Sequence, residues 1–416
     1  MNPQKAKMLY SLILPQGLVL GAIIFYLHFF ATPKTVLLVA PIYSSVVLVA
    51  GMLLGWRFNR SRLVFSLLVL ALSERGLFYL FHIQGIDEVV KHTAFATMAV
   101  LLPVNFIFFS MMRERGIFTF TGLWRASVIL LQVPLVALIA YYHPEKVVVF
   151  FNYNLLSPRA LQCTPIPQGA LIVIGLGFTF FLIHFMYNRK PMKNGFFWAL
   201  LAAVIALSQT KVHFVTVYFA TAGLILVISL IETAYAMAYQ DELTSLPARR
   251  ALKEYLLKLG NEYTIAMLDI DHFKKFNDTH GHDVGDQVLR MVASKLAAVS
   301  GGGKAFRYGG EEFTLVFSEK SLGETTPHLE ELRETIASSR FTLRGSKRPR
   351  KKPRTIIPGG GERKKLSVTV SIGVAEQKNN QKSAQVIKAA DKALYRAKTS
   401  GRNQVSTWKN YKEDSR

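Results

Sequence analysis

The first 240 residues alternate between long apolar runs and short polar loops. Most of the runs approach or exceed the length of about 20 residues that a helix needs to cross a membrane. We predict eight spanning helices, of which the seventh is the shortest, at 8–30, 35–55, 62–82, 92–111, 123–142, 168–187, 194–210 and 213–233. The pattern therefore predicts a multi-span α-helical membrane domain over residues 1–233.

The pattern changes at residue 241, where short apolar runs bounded by turn residues alternate with amphipathic segments. The predicted elements are a helix at 247–259, a strand at 262–269, a helix at 283–299, a hairpin at 304–318, a helix at 327–338, a strand at 366–376 and a helix at 383–399. This β-α-β-β-α-β order predicts an α+β ferredoxin-like palm over residues 241–407. Residues 234–242 lack Pro and Gly and predict a helical connector, and 408–416 form a C-terminal tail.

Charge is divided unevenly between the two halves. The chain of 416 residues has 50 Lys and Arg against 27 Asp and Glu, a formal net charge of +23. Only six of the acidic residues precede residue 241 and 21 follow it, so the apolar half is also poor in acidic residues. The single cysteine, Cys163, excludes an intrachain disulfide.

Basic residues concentrate in every second loop of the predicted membrane domain. Because loops rich in Lys and Arg stay on the cytoplasmic side, this alternation predicts that both ends of the domain lie in the cytoplasm. The cytoplasmic loops carry Lys5 and Lys7; Arg57, Arg60 and Arg62; Arg113, Arg115 and Arg125; and Arg189, Lys190 and Lys193.

Two charges, Glu74 and Arg75, fall inside the third predicted span. Charged groups in a bilayer are costly, and adjacent helical residues do not face each other. We therefore expect each of them to have a partner on another helix. The loop 143–167 is the only sizeable loop expected on the outer side, and it is a candidate part of a ligand site.

Two acidic motifs carry the chemistry of the second half. Residues 307–313 read RYGGEEF, and residues 268–278 read LDIDHFKKFND. Five further segments precede, separate or follow these two motifs along the chain. They are DELTSL at 241–246, GHDVGD at 281–286, VTVSIGVA at 368–375, ADKALYRAK at 390–398 and GRN at 401–403. Together these segments resemble the GGDEF domain family, the diguanylate cyclases, from residue 241 to about 407.

The resemblance implies roles for individual residues. Asp269, the backbone carbonyl of Ile270, and Glu311 would bind Mg²⁺, with two ions in each active site and Mn²⁺ as an alternative ion. Glu311 is also the candidate for deprotonating the 3′-hydroxyl, with assistance from Glu312. The remaining implied residues are Gly309 and Gly310 for the turn, Asn277 and Asp286 for reading guanine, Lys398 and Arg402 for the triphosphate, and Phe273, Lys274 and His282 for substrate binding.

The function implied is a membrane-bound diguanylate cyclase that condenses two GTP into cyclic di-GMP and two pyrophosphates under control of a signal. Its domains would act as a homodimer, in the inner membrane of a bacterial cell with the catalytic domain in the cytoplasm. Three alternatives stay open from the residues. They are a catalytically silent receptor for GTP or a cyclic dinucleotide, a cyclase making a mixed cyclic dinucleotide, and a transporter with a regulatory appendage.

The chain also departs from the family pattern. Ser300 and Gly303 stand where many members have the Arg and Asp of a product-binding inhibitory site, so we expect no product inhibition by that route. Ser245 and Ala248 replace the usual Gly and Asn. Residues 344–365 form a basic insertion with ten Lys or Arg. We expect it to contact anionic lipid rather than nucleic acid, because it lacks aromatic residues for base stacking.

Overall fold

The computed structural model describes residues 13–142, 164–187, 191–342, 365–378 and 381–408. The chain forms two compact units, residues 1–234 and 235–416. Most of the predicted outer loop, all but the last residue of the basic insertion and most of the C-terminal tail lie outside the described residues.

The first unit contains eight described helices at the positions of the eight predicted spans. They are α1 (Gln16–Phe29), α2 (Pro33–Arg57), α3 (Ser61–His82), α4 (Glu88–Met111), α5 (Phe120–Tyr142), α6 (Gln168–Tyr187), α7 (Pro191–Leu207) and α8 (Val212–Tyr239). Six of them are long and apolar enough to cross a membrane, whereas α1 and α7 are shorter apolar helices.

Local sequence explains where several of these helices begin. The Thr32 hydroxyl accepts a hydrogen bond from the backbone N–H of Thr35 at 3.3 Å, and Pro33 occupies the first helical position of α2. The Asp87 carboxylate accepts from the N–H of Val89 at 3.1 Å and so caps α4.

Helix α8 lies deepest in this unit, and small residues let its neighbours approach. The buried face of α7 is rich in alanine, and Gly195 on that helix lies against the side chain of Ser229 on α8. Glu74 is buried on α3 and accepts a hydrogen bond from Ser44 on α2 at 2.8 Å. Arg75 is exposed, and within the described residues its side chain has no hydrogen bond or ion pair.

The second unit is an α+β domain. Its elements are α9 (Arg249–Leu256), β1 (Tyr263–Ile270), α10 (Phe273–His280), α11 (His282–Leu296), β2 (Lys304–Arg307), β3 (Glu312–Ser318), α12 (Leu322–Ser338), β4 (Phe341–Thr342), β5 (Lys365–Leu366), β6 (Val370–Glu376), α13 (Ser383–Thr399) and β7 (Val405–Thr407).

The main sheet has the strand order β2-β3-β1-β6-β7. All neighbouring pairs are antiparallel except β6 and β7, which are parallel. Strands β2, β3, β1 and β6 with their helices form the predicted ferredoxin-like palm, and this prediction is confirmed. Strand β1 is central and buried along its whole length, because alternate side chains enter the cores on the two faces of the sheet.

Several features of this unit were not predicted, among them the short strand pair of β4 and β5. Helix α10 was missed because FKKFNDTH is short and polar, and β7 was missed because it has only three residues. Helix α12 begins five residues before the predicted start at Pro327. There Ser321 and Glu324 form a reciprocal capping box, which starts the helix ahead of the proline.

Candidate active site

The two acidic motifs meet at one end of the central strands. Asp269, near the end of β1, lies opposite Glu312 in the register of β1 and β3. The backbone N–H groups of Tyr308 and Gly309 both donate to the carbonyl of Glu312, at 2.9 and 3.2 Å, and close the turn between β2 and β3. Glu311 lies in this turn beside Gly309 and Gly310, so the hairpin brings its carboxylate towards Asp269.

Arg307 holds this turn in place. Its guanidinium donates to the carbonyl of Gly310 at 2.7 and 3.3 Å, and it forms an ion pair with Asp241 at 2.7 Å. A planar guanidinium presents several donors in a fixed geometry, which lets one side chain bind both partners. No role was predicted for Arg307, although it is the first residue of the RYGGEEF motif.

Asp241 is set in a network of donors. Burial alone would raise the pKa of its carboxyl, but hydrogen bonds from the Thr244 hydroxyl, the Arg307 guanidinium and the Thr244 N–H outweigh that effect. The pKa of Asp241 is therefore lowered, and its charge stabilises the folded state.

Asp269 is a buried carboxylate with one cationic partner. Its side chain is 7% exposed and lies 2.8 Å from the Nζ of Lys398, on the last turn of α13. Burial raises the pKa of Asp269 and so does the charge of Asp271, while Lys398 and Arg402 act in the opposite direction with a smaller net effect. Arg402 therefore lies close enough to Asp269 for its charge to act on this carboxyl.

Glu311 is half-buried and has acidic neighbours. Burial raises its pKa, and the charges of Asp269 and Glu312 raise it further, against the effect of Lys398. Burial and mutual repulsion disfavour the ionised forms of Asp269 and Glu311. A cation placed between the two carboxylates would stabilise both ionised forms.

The donor set at this point fits a divalent metal ion. It offers the carboxylates of Asp269 and Glu311 together with the carbonyl of Ile270, the last residue of β1, and such hard oxygen atoms suit Mg²⁺. Within the described ranges, no group of three or more His, Cys, Asp or Glu is placed to hold a metal ion. A backbone carbonyl and substrate oxygens would therefore have to complete the coordination.

Asp271 is a second buried carboxylate, and it has a different role. It is 7% exposed and accepts hydrogen bonds from the hydroxyls of Thr369 and Ser371, at 2.7 and 2.6 Å, and from the N–H of Asn403 at 3.1 Å. These bonds join the end of β1 to β6 and to the turn that contains Arg402.

Asn277 lies where α10 packs on α11. Its Oδ1 is buried against Gly285, and in the structure described it has no hydrogen-bond partner. Asp286 follows Gly285 directly and is half-buried. The two residues that the resemblance assigns to guanine therefore lie at one helix–helix contact.

The other predicted residues are less closely joined to the carboxylate pair. Phe273 is buried in the first turn of α10, stacked on Phe276. Lys274 and His282 are exposed, and among the described residues their side chains form no hydrogen bond or ion pair. Arg402 is exposed as well, with a positive backbone φ of 63°.

The residues at the position of the family's product-binding inhibitory site make different contacts here. The Ser300 hydroxyl is bonded to the Nδ1 of His328 at 2.8 Å and to the carboxylate of Glu331 at 2.7 Å. The expected lack of product inhibition stays a prediction.

Known proteins resemble the second half of the chain. The family model described as "Diguanylate cyclase, GGDEF domain" matches residues 238–404. Diguanylate cyclase DgcP of Pseudomonas aeruginosa is 35% identical over 183 residues, which is 42% of this chain and 25% of that protein. Diguanylate cyclase VdcA of Vibrio cholerae is 37% identical over 169 residues, which is 40% of this chain and 45% of that protein.

A solved structure also matches this half. The crystal structure of the coiled coil and GGDEF domain of DgcB from Caulobacter crescentus, in complex with c-di-GMP, is 34% identical. It covers 45% of this chain and 95% of that chain, with a TM-score of 0.40. By contrast, the present chain aligns with less than half of the length of DgcP and less than half of the length of VdcA. Through residues 238–404, it belongs to the GGDEF-domain family of diguanylate cyclases.

Proposed function

We propose that this protein is a membrane-bound diguanylate cyclase. It would join two GTP molecules through reciprocal 3′–5′ bonds and release two pyrophosphates. The observation that carries the proposal is the convergence of Asp269 and Glu311 beside Lys398 at the end of β1, with both carboxyl pKa values raised. This arrangement supports a site for a cation and a polyphosphate.

Each residue then has a chemical task. Asp269, the Ile270 carbonyl and Glu311 would hold a divalent metal ion, which would neutralise charge at the reacting phosphate. The 3′-oxygen of one GTP attacks the α-phosphorus of the other, a new P–O bond forms, and the bond to pyrophosphate breaks. Glu311 would take the proton of the 3′-hydroxyl as the general base.

The cations at the other side of the site would bind the triphosphate. Lys398 can turn from Asp269 to phosphate oxygens once that carboxylate has another cationic partner. Arg402 is exposed beside it and can pair with two phosphate oxygens at once.

Guanine would be read at the contact between α10 and α11. The Asp286 carboxylate accepts hydrogen bonds from N–H donors, and guanine presents two on one edge whereas adenine presents a different pattern. A donor from the base, after a small rotation of the Asn277 amide, would satisfy the oxygen that is now buried without a partner. Leaving such an atom unpaired costs roughly 1–3 kcal/mol.

The reaction requires two such domains facing each other, because each domain would hold one GTP. We therefore propose a homodimer in the inner membrane, with residues 1–233 as a sensor domain, 234–242 as a connector and 241–407 as a cytoplasmic cyclase domain. The continuous helix α8, which runs to Tyr239, supports a connector that can transmit movement.

The test is to incubate the purified full-length protein with Mg²⁺ and an equal mixture of GTP and ATP, and to identify the products by mass spectrometry. We expect cyclic di-GMP from the wild type and from the control Glu334→Ala, an exposed acid on α12. Glu311→Ala should yield none. A mixed cyclic dinucleotide would contradict the role of Asp286. GTP binding without product under all metal conditions would favour the receptor alternative.

A further inference from the structure

A cavity of about 800 Å³ lies in the first unit between α3, α4 and α5. This volume falls within the range of about 300–1,000 Å³ that small-molecule sites occupy in proteins. Its wall on α5 includes exposed residues such as Val133 and Leu138. The cavity is therefore open along one side, from which a molecule dissolved in a bilayer could enter.

The lining excludes charged ligands. Apart from Ser73, Asn105, Gln132 and two tyrosines, the described residues that line the cavity are apolar or glycine, and none of them is charged. A carboxylate, phosphate or ammonium group placed there would lose its hydration without gaining a partner of opposite charge. The occupant must therefore be uncharged and mostly apolar.

One pair of side chains supplies polarity in the wall. Asn105 on α4 and Gln132 on α5 exchange two hydrogen bonds, from Asn105 Nδ2 to Gln132 Oε1 at 2.8 Å and from Gln132 Nε2 to Asn105 Oδ1 at 3.0 Å. Each amide has two N–H donors and two acceptor positions, so this exchange uses half of what the pair offers. A carbonyl or hydroxyl group on a ligand could use the remainder.

The shape favours an extended molecule. On α5 the lining runs from Ile129 and Gln132 to Tyr142, and ten residues of helix from Gln132 span about 15 Å. The amide pair lies towards one end of this length, and between it and Tyr141 and Tyr142 at the other end the described wall is apolar apart from Ser73. A medium-length alkyl chain with a single polar end matches both the length and the distribution of polarity.

We propose that this cavity binds an uncharged, elongated apolar molecule with one carbonyl or hydroxyl group, which hydrogen-bonds to the Asn105–Gln132 pair. Binding at this cavity does not depend on the catalytic activity of the second unit.

The first test uses the full-length protein in phosphatidylcholine nanodiscs and a dodecanol probe that carries a photoreactive diazirine. Mass spectrometry would locate the labelled residues, with dodecanol, dodecane and dodecanoate as competitors at equal membrane concentrations. We expect labels on residues that line the cavity, and competition by dodecanol about tenfold stronger than by dodecane, the effect of roughly one hydrogen bond. Equal competition by all three, with labels spread over lipid-facing residues, would mean that bulk lipid alone fills the cavity and would overturn the proposal.

Variants provide the second test. Ala137→Phe on α5 places a large side chain in the cavity and should reduce labelling at least about fivefold. The control Leu131→Phe changes a residue on the same helix that is 67% exposed and outside the lining, and it should label like the wild type. Equal labelling of the two variants would overturn the proposal. Replacing Asn105 and Gln132 together by Leu should leave labelling in place but remove the preference for dodecanol over dodecane.

Discussion

At the scale of single residues, Asp271 shows how a buried charge can act on a site through its neighbours. Its carboxylate accepts three hydrogen bonds, one of them from the N–H of Asn403 in the turn that contains Arg402. Residues 402 and 403 both have positive φ values, of 63° and 44°, which are uncommon for non-glycine residues. The hydrogen bond to Asp271 helps to hold this turn, so Asp271 is a positioning residue for Arg402.

We expect Asp271→Asn to raise the KM for GTP about tenfold and to lower kcat less, because the amide has one acceptor oxygen in place of two and carries no charge, which weakens the hydrogen bond from the Asn403 N–H. In an Arg402→Ala background the same change should alter KM less than about twofold, since its effect acts through Arg402. Steady-state kinetics of the four proteins would measure this coupling. The exposed Asp391→Asn on α13 is the control, and additive effects of the two changes would contradict the positioning role.

The Asp241–Arg307 pair gives a pH-dependent prediction. Because the pKa of Asp241 is lowered on folding, its contribution to stability is present above the ordinary aspartate pKa and is lost as the pH falls through the lowered value. Asp241→Asn should therefore destabilise the second unit by about 1–2 kcal/mol at pH 7, and equally at pH 5. Below about pH 4 the difference from wild type should shrink.

Limited proteolysis of the full-length protein across a urea series would measure this difference, read from peptides of residues 241–407. Asp391→Asn again serves as the control, because Asp391 is exposed. A difference between wild type and Asp241→Asn that grows on acidification would show that the ionised carboxylate is not what stabilises the turn.

At the scale of elements, the contact between α10 and α11 depends on one glycine. A Cβ added at Gly285 would meet the side-chain amide of Asn277 and lie near the ring of Phe273. Glycine is therefore required here for close approach rather than for backbone conformation. Alanine in a helix is otherwise more favourable than glycine by about 1 kcal/mol.

We expect Gly285→Ala to weaken GTP binding at least about tenfold by displacing Asn277, without lowering the stability of the domain by more than about 1 kcal/mol. Isothermal titration with GTP would measure the affinity. Gly323→Ala is the matched control, because Gly323 also lies in a helix, α12, but a Cβ there would meet nothing within 4 Å. Unchanged affinity in Gly285→Ala would exclude Asn277 from the nucleotide site.

At the scale of the whole molecule, the division of charge predicts membrane topology. In a Cys163→Ser background, Gln84→Cys lies in the loop between α3 and α4, and Arg115→Cys lies in the loop between α4 and α5. Both positions are exposed. Because basic loops stay in the cytoplasm, a membrane-impermeant maleimide should label Gln84→Cys in intact cells and Arg115→Cys only after permeabilisation. The reverse result would invert the predicted orientation.

Local patterns were sufficient for much of the architecture. Apolar runs located the eight described helices of the first unit, and helix α13 begins and ends at the predicted residues, Ser383 and Thr399. The order of strands and helices also predicted the palm. Short elements such as α10 and β7 were missed, because eight polar residues or three strand residues leave almost no periodic signal.

The longer helices and strands and the GGEE turn could be predicted from the sequence, because hydrophobic periodicity and turn residues depend on neighbours along the chain. The sequence by itself could not determine the pairing of Arg307 with Asp241, which are 66 residues apart, or of Asp271 with Asn403, which are 132 apart. The burial that raises the pKa of Asp269, the closure of Gly285 on Asn277, and the cavity between α3, α4 and α5 likewise come from tertiary structure. Each of these features depends on how segments distant along the chain pack together. Packing sets the distances between side chains, their burial and the charges around them, and a local sequence pattern does not specify these quantities.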